Sequence, residues 1–541
     1  MAISAGSPRK SFGRRHALWA VAAVLVVAIA LLATAVLEWS GASLTSDPVA
    51  LAHLKSQPLA GSIESAQAFD ANGKSIPLSI HGGRLTPRTK LAPGERISVN
   101  VVVRRPGWLS WALGKTRHET LTLHAPVAHV TERWLTVAPG SPLKVSFDRA
   151  VSAVAYGEPA KLQHRRLSTP RSSVDLGAQP AAGTFTVAAA ARPWERLGHP
   201  QDVSWFPPAR SPVVVGDPAP GTQITPSTHL RLTFSKPVDR VLGSARPKLS
   251  PAVAGSWQRP DSHTLLFTPS GFGAPFGTTL HVTLPKAVSL RAPDGGSAKN
   301  TRTIDWSVPG GSTLRLHQLL AEAGYLPVTW HSSGPAVPRT PAAQVAAATN
   351  PPQGQFSWRY SNTPPELRRM WSASNSNQIT RGALMMFEDT HGLQADGFAG
   401  PKVWHALLTD AIAGKRHRGG YSYVYVHRNV PQKLTLWHNG HVVLTSPGNT
   451  GVPSAPTQLG TFPVFEHIPV GTMSGTNPDG SHYNDPGIKW ISYFNGGDAL
   501  HAFNRASFGT PQSLGCVELP LAAAAKVWPY TPIGTLVTIE N

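Results

Sequence analysis

The sequence predicts a multidomain, mainly β chain: an N-terminal transmembrane helix, tandem β-sandwiches, a small three-helix domain and a C-terminal β-rich domain. Three observations predict this. Residues Ala17 to Leu37 form an uncharged run rich in Ala, Val and Leu. Short alternating or β-branched segments, separated by Pro-Gly, Asn-Gly and Asp-Gly turn signals, then fill most of the chain. One stretch near residues 365–412 switches instead to a helical period.

The apolar run comes first. As a helix it spans about 31 Å, the thickness of a bilayer's hydrocarbon core. Arg9, Lys10, Arg14 and Arg15 precede it, and Glu38 with a polar Ser/Thr stretch follows. The positive-inside rule puts residues 1–16 in the cytoplasm, the anchor at 17–38 and the rest outside the cell. Ala33-Thr34-Ala35 has the small residues of a cleavage site, so a removed signal peptide is the competing reading. The formal net charge of +20 implies anionic surroundings. No nucleic-acid motif accompanies it, and export argues against a nucleic-acid partner. The single cysteine, Cys516, excludes an intramolecular disulfide and a Cys-based zinc cage.

Between residues 49 and 309, Ile97–Val103, Leu121–His124, Leu143–Phe147, Leu230–Phe234, Thr264–Thr268 and Thr279–Leu284 read as strands. Leu143-Lys-Val-Ser-Phe-Asp-Arg-Ala-Val151 matches Leu230-Arg-Leu-Thr-Phe-Ser-Lys-Pro-Val238 at an offset of 87 residues. Each copy follows a Pro-Gly turn, and each domain ends in a Trp-containing strand, Val203-Ser-Trp205 and Ile304-Asp-Trp306. One sandwich per repeat places domains at 125–208 and 209–309, with a further β-domain at 49–124. These segments resemble bacterial Ig-like domains, which implies a spacer role. Leu316, Leu319, Leu320 and Ala323 mark a short amphipathic helix, and the Pro/Ala-rich stretch at 331–355 reads as linker, so 310–364 is helix plus linker.

In 365–412, Ile379, Ala383 and Phe387 share one helix face. Gly392-Leu393, Asp396-Gly397, Gly400-Pro401 and Trp404 follow, then Ala406-Leu407. This succession resembles the three-helix peptidoglycan-binding domain, which implies a glycan partner. From 420 to 541 strands return: Tyr421–His427, a hairpin of Leu434–Trp437 and Val442–Leu444 across Asn439-Gly440, then Thr461–Phe465, Trp490–Phe494 and Thr535–Ile539.

Chemistry concentrates in Ala499-Leu-His501-Ala-Phe503, Arg505 and Ser513-Leu-Gly515-Cys516-Val-Glu518-Leu519. A thiolate attacks carbonyls, and a histidine takes its proton and returns it to a leaving amine. Gly515 admits close approach of substrate, and the N–H groups from Leu514 to Cys516 are placed to hold an oxyanion. Read from residues alone, a buried small hydrophobe accounts for Cys516 as well as a nucleophile does, and a satisfied strand-end histidine accounts for His501 better than a base does.

Ser-x-Gly-Cys-Val-x-Leu, an upstream His, Asn449-Thr450-Gly451, Thr457-x-x-Gly460-Thr461-Phe462-x-Val464 and Gly534-Thr535-Leu-Val537 together resemble the YkuD-type L,D-transpeptidase domain over 420–541. The resemblance implies that Cys516 is the acylated nucleophile and His501 the base. It also implies that Ala502 orients the ring through its carbonyl, and that the backbone N–H groups around Gly515 form the oxyanion hole. Ser513, Arg505, Tyr493 and Trp490 are expected to bind substrate or support the loop. The implied partners are stem peptides and glycan of peptidoglycan, with carbapenem β-lactams acylating Cys516; no cofactor or metal is implied. Leu514, Glu518 and Ala502 depart from the residues usual in that family. A sortase is disfavoured because no arginine follows Cys516. An L,D-carboxypeptidase and a non-catalytic wall-binding stalk remain as alternatives.

Overall fold

A computed structural model of the chain describes residues 14–179, 182–284, 289–290 and 303–541. Residues 1–13 of the expected cytoplasmic tail lie outside them. The described residues divide into two compact units, split after Val215.

The first unit opens with a helix from Arg14 to Trp39, whose stretch Leu18–Trp39 is long and apolar enough to cross a membrane. Two four-stranded sheets follow. Their strands begin at Ala42–Ser46, earlier than the boundary at 49 expected from sequence. In the strand Arg96–Arg104, Ile97, Val99, Val101 and Val103 are all buried while their neighbours are not. Strict period-2 alternation is what one buried sheet face requires. A five-stranded sheet comes next, built around the hairpin Pro142–Glu158 and Lys161–Ala178.

The internal repeat has a physical cause. Leu143, Val145 and Phe147 are buried in the first copy, and Leu230, Leu232 and Phe234 in the second. The copies diverge after the phenylalanine. The first runs on as strand to Glu158, whereas Pro237 stops the second and a helical turn, Val238–Val241, follows. Trp205 and Trp306, which end the two domains in the sequence reading, are both buried.

The second unit carries a helical region and the C-terminal β-domain. Helices run Thr313–Glu322, Pro341–Thr349, Pro365–Met370, Gln378–Thr390 and Pro401–Ala413. The last three lie within residues 365–413, with Ile379, Ala383, Phe387 and Trp404 buried. The expected linker at 331–355 is instead ordered. Val328–Ser332 pairs with Gly354–Trp358, and the helix between them is capped by Thr340, with Pro341 opening its first turn. Composition alone concealed this because Val345, Ala347 and Ala348 are buried by tertiary packing, not by a long apolar stripe.

In the C-terminal domain the strands are β1 (Ser422–His427), β2 (Lys433–His438), β3 (His441–Pro447), β4 (Gly460–Pro463), β5 (Glu466–Thr476), β6 (His482–Asn495), β7 (Asp498–Ala502), β8 (Val517–Leu519) and β9 (Leu536–Glu540). One sheet has the order β3-β2-β1-β9-β4, the other β5-β6-β7-β8. Asn439 and Gly440 both take positive φ, as the tight β2–β3 hairpin demands. Val424, Val426, Leu434 and Leu436 of the first sheet share one core with Leu500, Ala502, Val517 and Leu519 of the second. Burying these apolar faces against each other holds the second sheet, and everything mounted on its outer face, in place.

Candidate active site

The second sheet sets the site by alternation. On β7, Leu500 and Ala502 point to the core, so Ala499 and His501 take the opposite face. On β8, Val517 and Leu519 point to the core, so Glu518 takes the opposite face with Cys516, which immediately precedes the strand. β7 and β8 are parallel, with Leu500 opposite Val517 and His501 opposite Glu518. Residues 15 apart in sequence thereby become neighbours on one sheet face. Both line a cavity of about 640 Å³.

His501 is 3% exposed, and its Nδ1 lies 3.0 Å from the carbonyl oxygen of Ala502. A carbonyl only accepts, so Nδ1 carries the proton and Nε2 is the nitrogen free to take another. Burial is the largest influence on the ring and lowers its pKa; the Ala502 carbonyl and Glu518 act the other way. The imidazole is therefore neutral at pH 7. Phe503 stands edge-on to it, with ring centres 5.9 Å apart.

The thiol of Cys516 donates to the Gly497 carbonyl at 3.6 Å. Ile488, Ile491 and Ala499 form an apolar bed around it with Met473, Tyr493 and Phe503. This desolvation, reinforced by Asp498 and Glu518, pushes the thiol up to about 12, against a smaller opposing effect from the Ala499 N–H. The resting pair is thus thiol and neutral imidazole, not an ion pair.

The loop before the thiol is fixed from several sides. Ser513, 2% exposed, donates its hydroxyl to the carbonyl of Cys516, closing a turn over Leu514 and Gly515. Ser513 N–H donates to Thr450 O, and Val452 N–H to Ser513 O. Asn449, fully buried, exchanges backbone hydrogen bonds with Glu518 and accepts the Gly509 N–H on Oδ1 at 2.9 Å. This is the structural content of the Asn449-Thr450-Gly451 motif. Gly515 has φ +114°, and a Cβ there would stand 2.2 Å from Asp498 Oδ1. Only glycine fits on both counts. Among the described residues, the N–H groups of Leu514, Gly515 and Cys516 make no hydrogen bond. Three free donors beside a thiol form a ready receptor for negative charge.

Four expected substrate contacts fare differently. Tyr493 lines the cavity. Ser513 also lines it, but its hydroxyl is committed to the Cys516 carbonyl. Arg505 lines the cavity too, with its guanidinium engaged by Glu518 through Nε at 2.8 Å and Nη2 at 2.6 Å. Trp490 does not line the cavity; with φ of 59° it interrupts the alternation of β6 and packs against the core between the sheets. Thr472, Met473, Tyr483 and Asp485, on the long β5–β6 hairpin, form a wall of the cavity that sequence reasoning missed. The turn signal Asn477-Pro-Asp479-Gly480 between two alternating stretches was the available clue.

Comparison with solved structures finds similarity to the catalytic domain of an E. faecium L,D-transpeptidase, at 24% identity over 22% of this chain and 95% of that one, TM-score 0.20. An L,D-transpeptidase from Mycobacterium smegmatis is 12% identical over 61% of this chain and 99% of its own, TM-score 0.21. L,D-transpeptidase 3 from Mycobacterium tuberculosis, solved with a faropenem-derived adduct, is 12% identical over 60% of this chain and 97% of its own, TM-score 0.21. No curated protein sequence matches the chain. Residues 421–539, which carry the cavity, the thiol and the imidazole, match the family model YkuD, the L,D-transpeptidase catalytic domain.

Proposed function

We propose that this protein is a membrane-anchored cell-wall enzyme that cross-links peptidoglycan, with Cys516 as nucleophile and His501 as base. The Cys516 sulfur attacks the L,D-peptide carbonyl of a tetrapeptide stem while its proton passes to His501 Nε2. The oxyanion is held by backbone N–H groups of residues 514–516. When the C–N bond breaks, His501 returns the proton to the amine of the departing D-alanine, leaving a thioester. An amine of a neighbouring stem then attacks the thioester, and its proton goes to the imidazole and on to the released thiolate.

The observation that carries this reading is the parallel β7–β8 pairing, which mounts a half-buried thiol and a neutral imidazole on one sheet face beside three free N–H donors. A Ser-His-Asp arrangement uses a carboxylate to orient its base; here the uncharged Ala502 carbonyl fills that place. Upstream, we read the β-domains as Ig-like spacers and the helices at 365–412 as a peptidoglycan-binding domain that keeps glycan near the thiol. The helix Arg14–Trp39 serves as the anchor, with the catalytic domain outside the cell.

Mass spectrometry of the detergent-solubilised chain after carbapenem treatment should find one covalent adduct, located on Cys516. Muropeptides incubated with the protein should yield dimers linked between two third residues. Absence of the adduct, together with unchanged turnover in Cys516→Ala, refutes the assignment.

A further inference from the structure

The ion pair Arg505–Glu518 stands inside the site without a part in the chemistry above. Glu518 is 4% exposed, on the cavity face of β8 and two residues after the thiol. Its backbone is held on both sides, by His501 across the parallel ladder and by Asn449 through paired N–H···O bonds. Arg505 reaches it from the loop after β7 with two donors, Nε to Oε2 at 2.8 Å and Nη2 to Oε1 at 2.6 Å. Nη2 also donates to the Gln512 carbonyl at 3.1 Å. The guanidinium carbon lies 4.5 Å from the centre of the Phe503 ring, which in turn stands against His501.

One planar group thus touches the residue before the thiol loop, the strand after it and the ring beside the base. A two-pronged pair fixes the orientation of both partners, which a lysine cannot reproduce. It also settles charge. An isolated Glu518 carboxylate favours the protonated imidazole and opposes the thiolate, and Arg505 acts on His501 in the opposite sense.

We propose that Arg505 and Glu518 are positioning residues: their ion pair holds the Gln512–Glu518 loop so that Cys516 faces His501, and cancels the carboxylate's charge at the base. The proposal rests on the reading of Cys516 as nucleophile. The other charged groups facing His501 and Cys516 are Asp485 on the β5–β6 hairpin, which also acts on Arg505, and Asp498 on β7. Tyr483 and Tyr493 face the thiol as neutral phenols.

The test is the second-order rate of carbapenem adduct formation on Cys516 in the full-length solubilised chain, measured from pH 5 to 9. Arg505→Met should slow acylation about 100-fold, as a small misplacement of a reacting group does. It should also move the acidic limb of the profile upward by about half a pH unit, because an unneutralised Glu518 raises the imidazole pKa. Arg505→Lys keeps the charge and loses the fork, so it should be slowed without moving the limb. The exchange Arg505→Glu with Glu518→Arg should recover much of the rate. Acylation of Arg505→Met within threefold of the native rate, with an unmoved limb, overturns the proposal. If Arg505→Met fails to fold, Arg505→Lys with a native rate overturns it instead. A native protein that takes no adduct refutes the role of Cys516 itself, a distinct result.

Discussion

Removing the imidazole measures how much the half-buried thiol depends on it. Burial pushes Cys516 from its ordinary value of 9.0 up to about 12, three units that correspond to roughly 4 kcal/mol against the thiolate. At pH 7 a free thiol of that pKa is ionised in about one molecule in 10⁵, against a few per cent for an exposed cysteine. Attack at a useful rate therefore requires the proton to leave as the S–C bond forms, and neutral His501, on the same sheet face, is the proposed acceptor. His501→Gln should lower the carbapenem acylation rate at pH 7 by about 10³-fold, within the range for loss of a general base. The shape of the profile is the sharper readout. In the native protein the rate should level off above about pH 6.5, since burial lowers the pKa of His501 below its ordinary 6.5 and the ring is neutral from there upward. In His501→Gln the logarithm of the rate should climb by about one per pH unit to pH 10 or beyond, because only the pre-formed thiolate reacts. Rapid-mixing mass spectrometry of the adduct gives both curves. A His501→Gln rate within tenfold of native at pH 7, or a flat profile, refutes the account of a neutral resting pair.

Gly515→Ala should abolish acylation by about 100-fold or more, because the new Cβ strikes Asp498 in a left-handed backbone. Asp498→Gly in the same chain removes the clash and should restore part of the rate, which adduct formation will show. Trp404 is 2% exposed and packs on Phe276, so Trp404→Ala should cost about 3–5 kcal/mol by urea unfolding of the unit. Glu388 is raised from 4.5 to about 7, chiefly by burial and against the Gly397 N–H it accepts. Its folded pKa exceeds its unfolded one, so its contribution is complete below about pH 4.5 and is lost as pH rises through 7. Glu388→Gln should therefore flatten the decline in melting temperature between pH 5 and 8, and an unchanged decline contradicts this.

How much of this was readable in advance follows from the range of the forces involved. The strands of the β-domains were legible because burial on one face imposes period 2, as in Ile97–Val103. The repeat was legible because the same three core positions recur in each copy. In the reactive segment, the spacing of His501 and Cys516 and the glycine between them marked the loop, since its φ admits nothing else. The Arg505–Glu518 pair was not legible as a pair. Thirteen residues separate the two with no periodic relation, and only the β7–β8 crossing brings them together. The hairpin wall bearing Met473, Tyr483 and Asp485 escaped for a similar reason, because its alternation serves a cavity and not a core. Trp490 stands three residues before Tyr493, so period 2 puts it with Phe494 on the core face and not with Tyr493 on the cavity face. In the stretch at 331–355, alanines that look like linker are buried by neighbouring helices, a tertiary fact with no local mark.

The position of β9 bears on when the site is complete. Leu536–Glu540 does not lie at an edge; it sits between β1 and β4, and Thr535 and Gly534 tie it to Val464. The ribosome makes residue 516 some twenty residues before this strand. Without β9, β1 and β4 have no common neighbour, and the core that backs β7 and β8 lacks Val537 and Ile539. A chain made only as far as the thiol therefore carries it on an unfinished sheet, so the site and its backing close together or not at all.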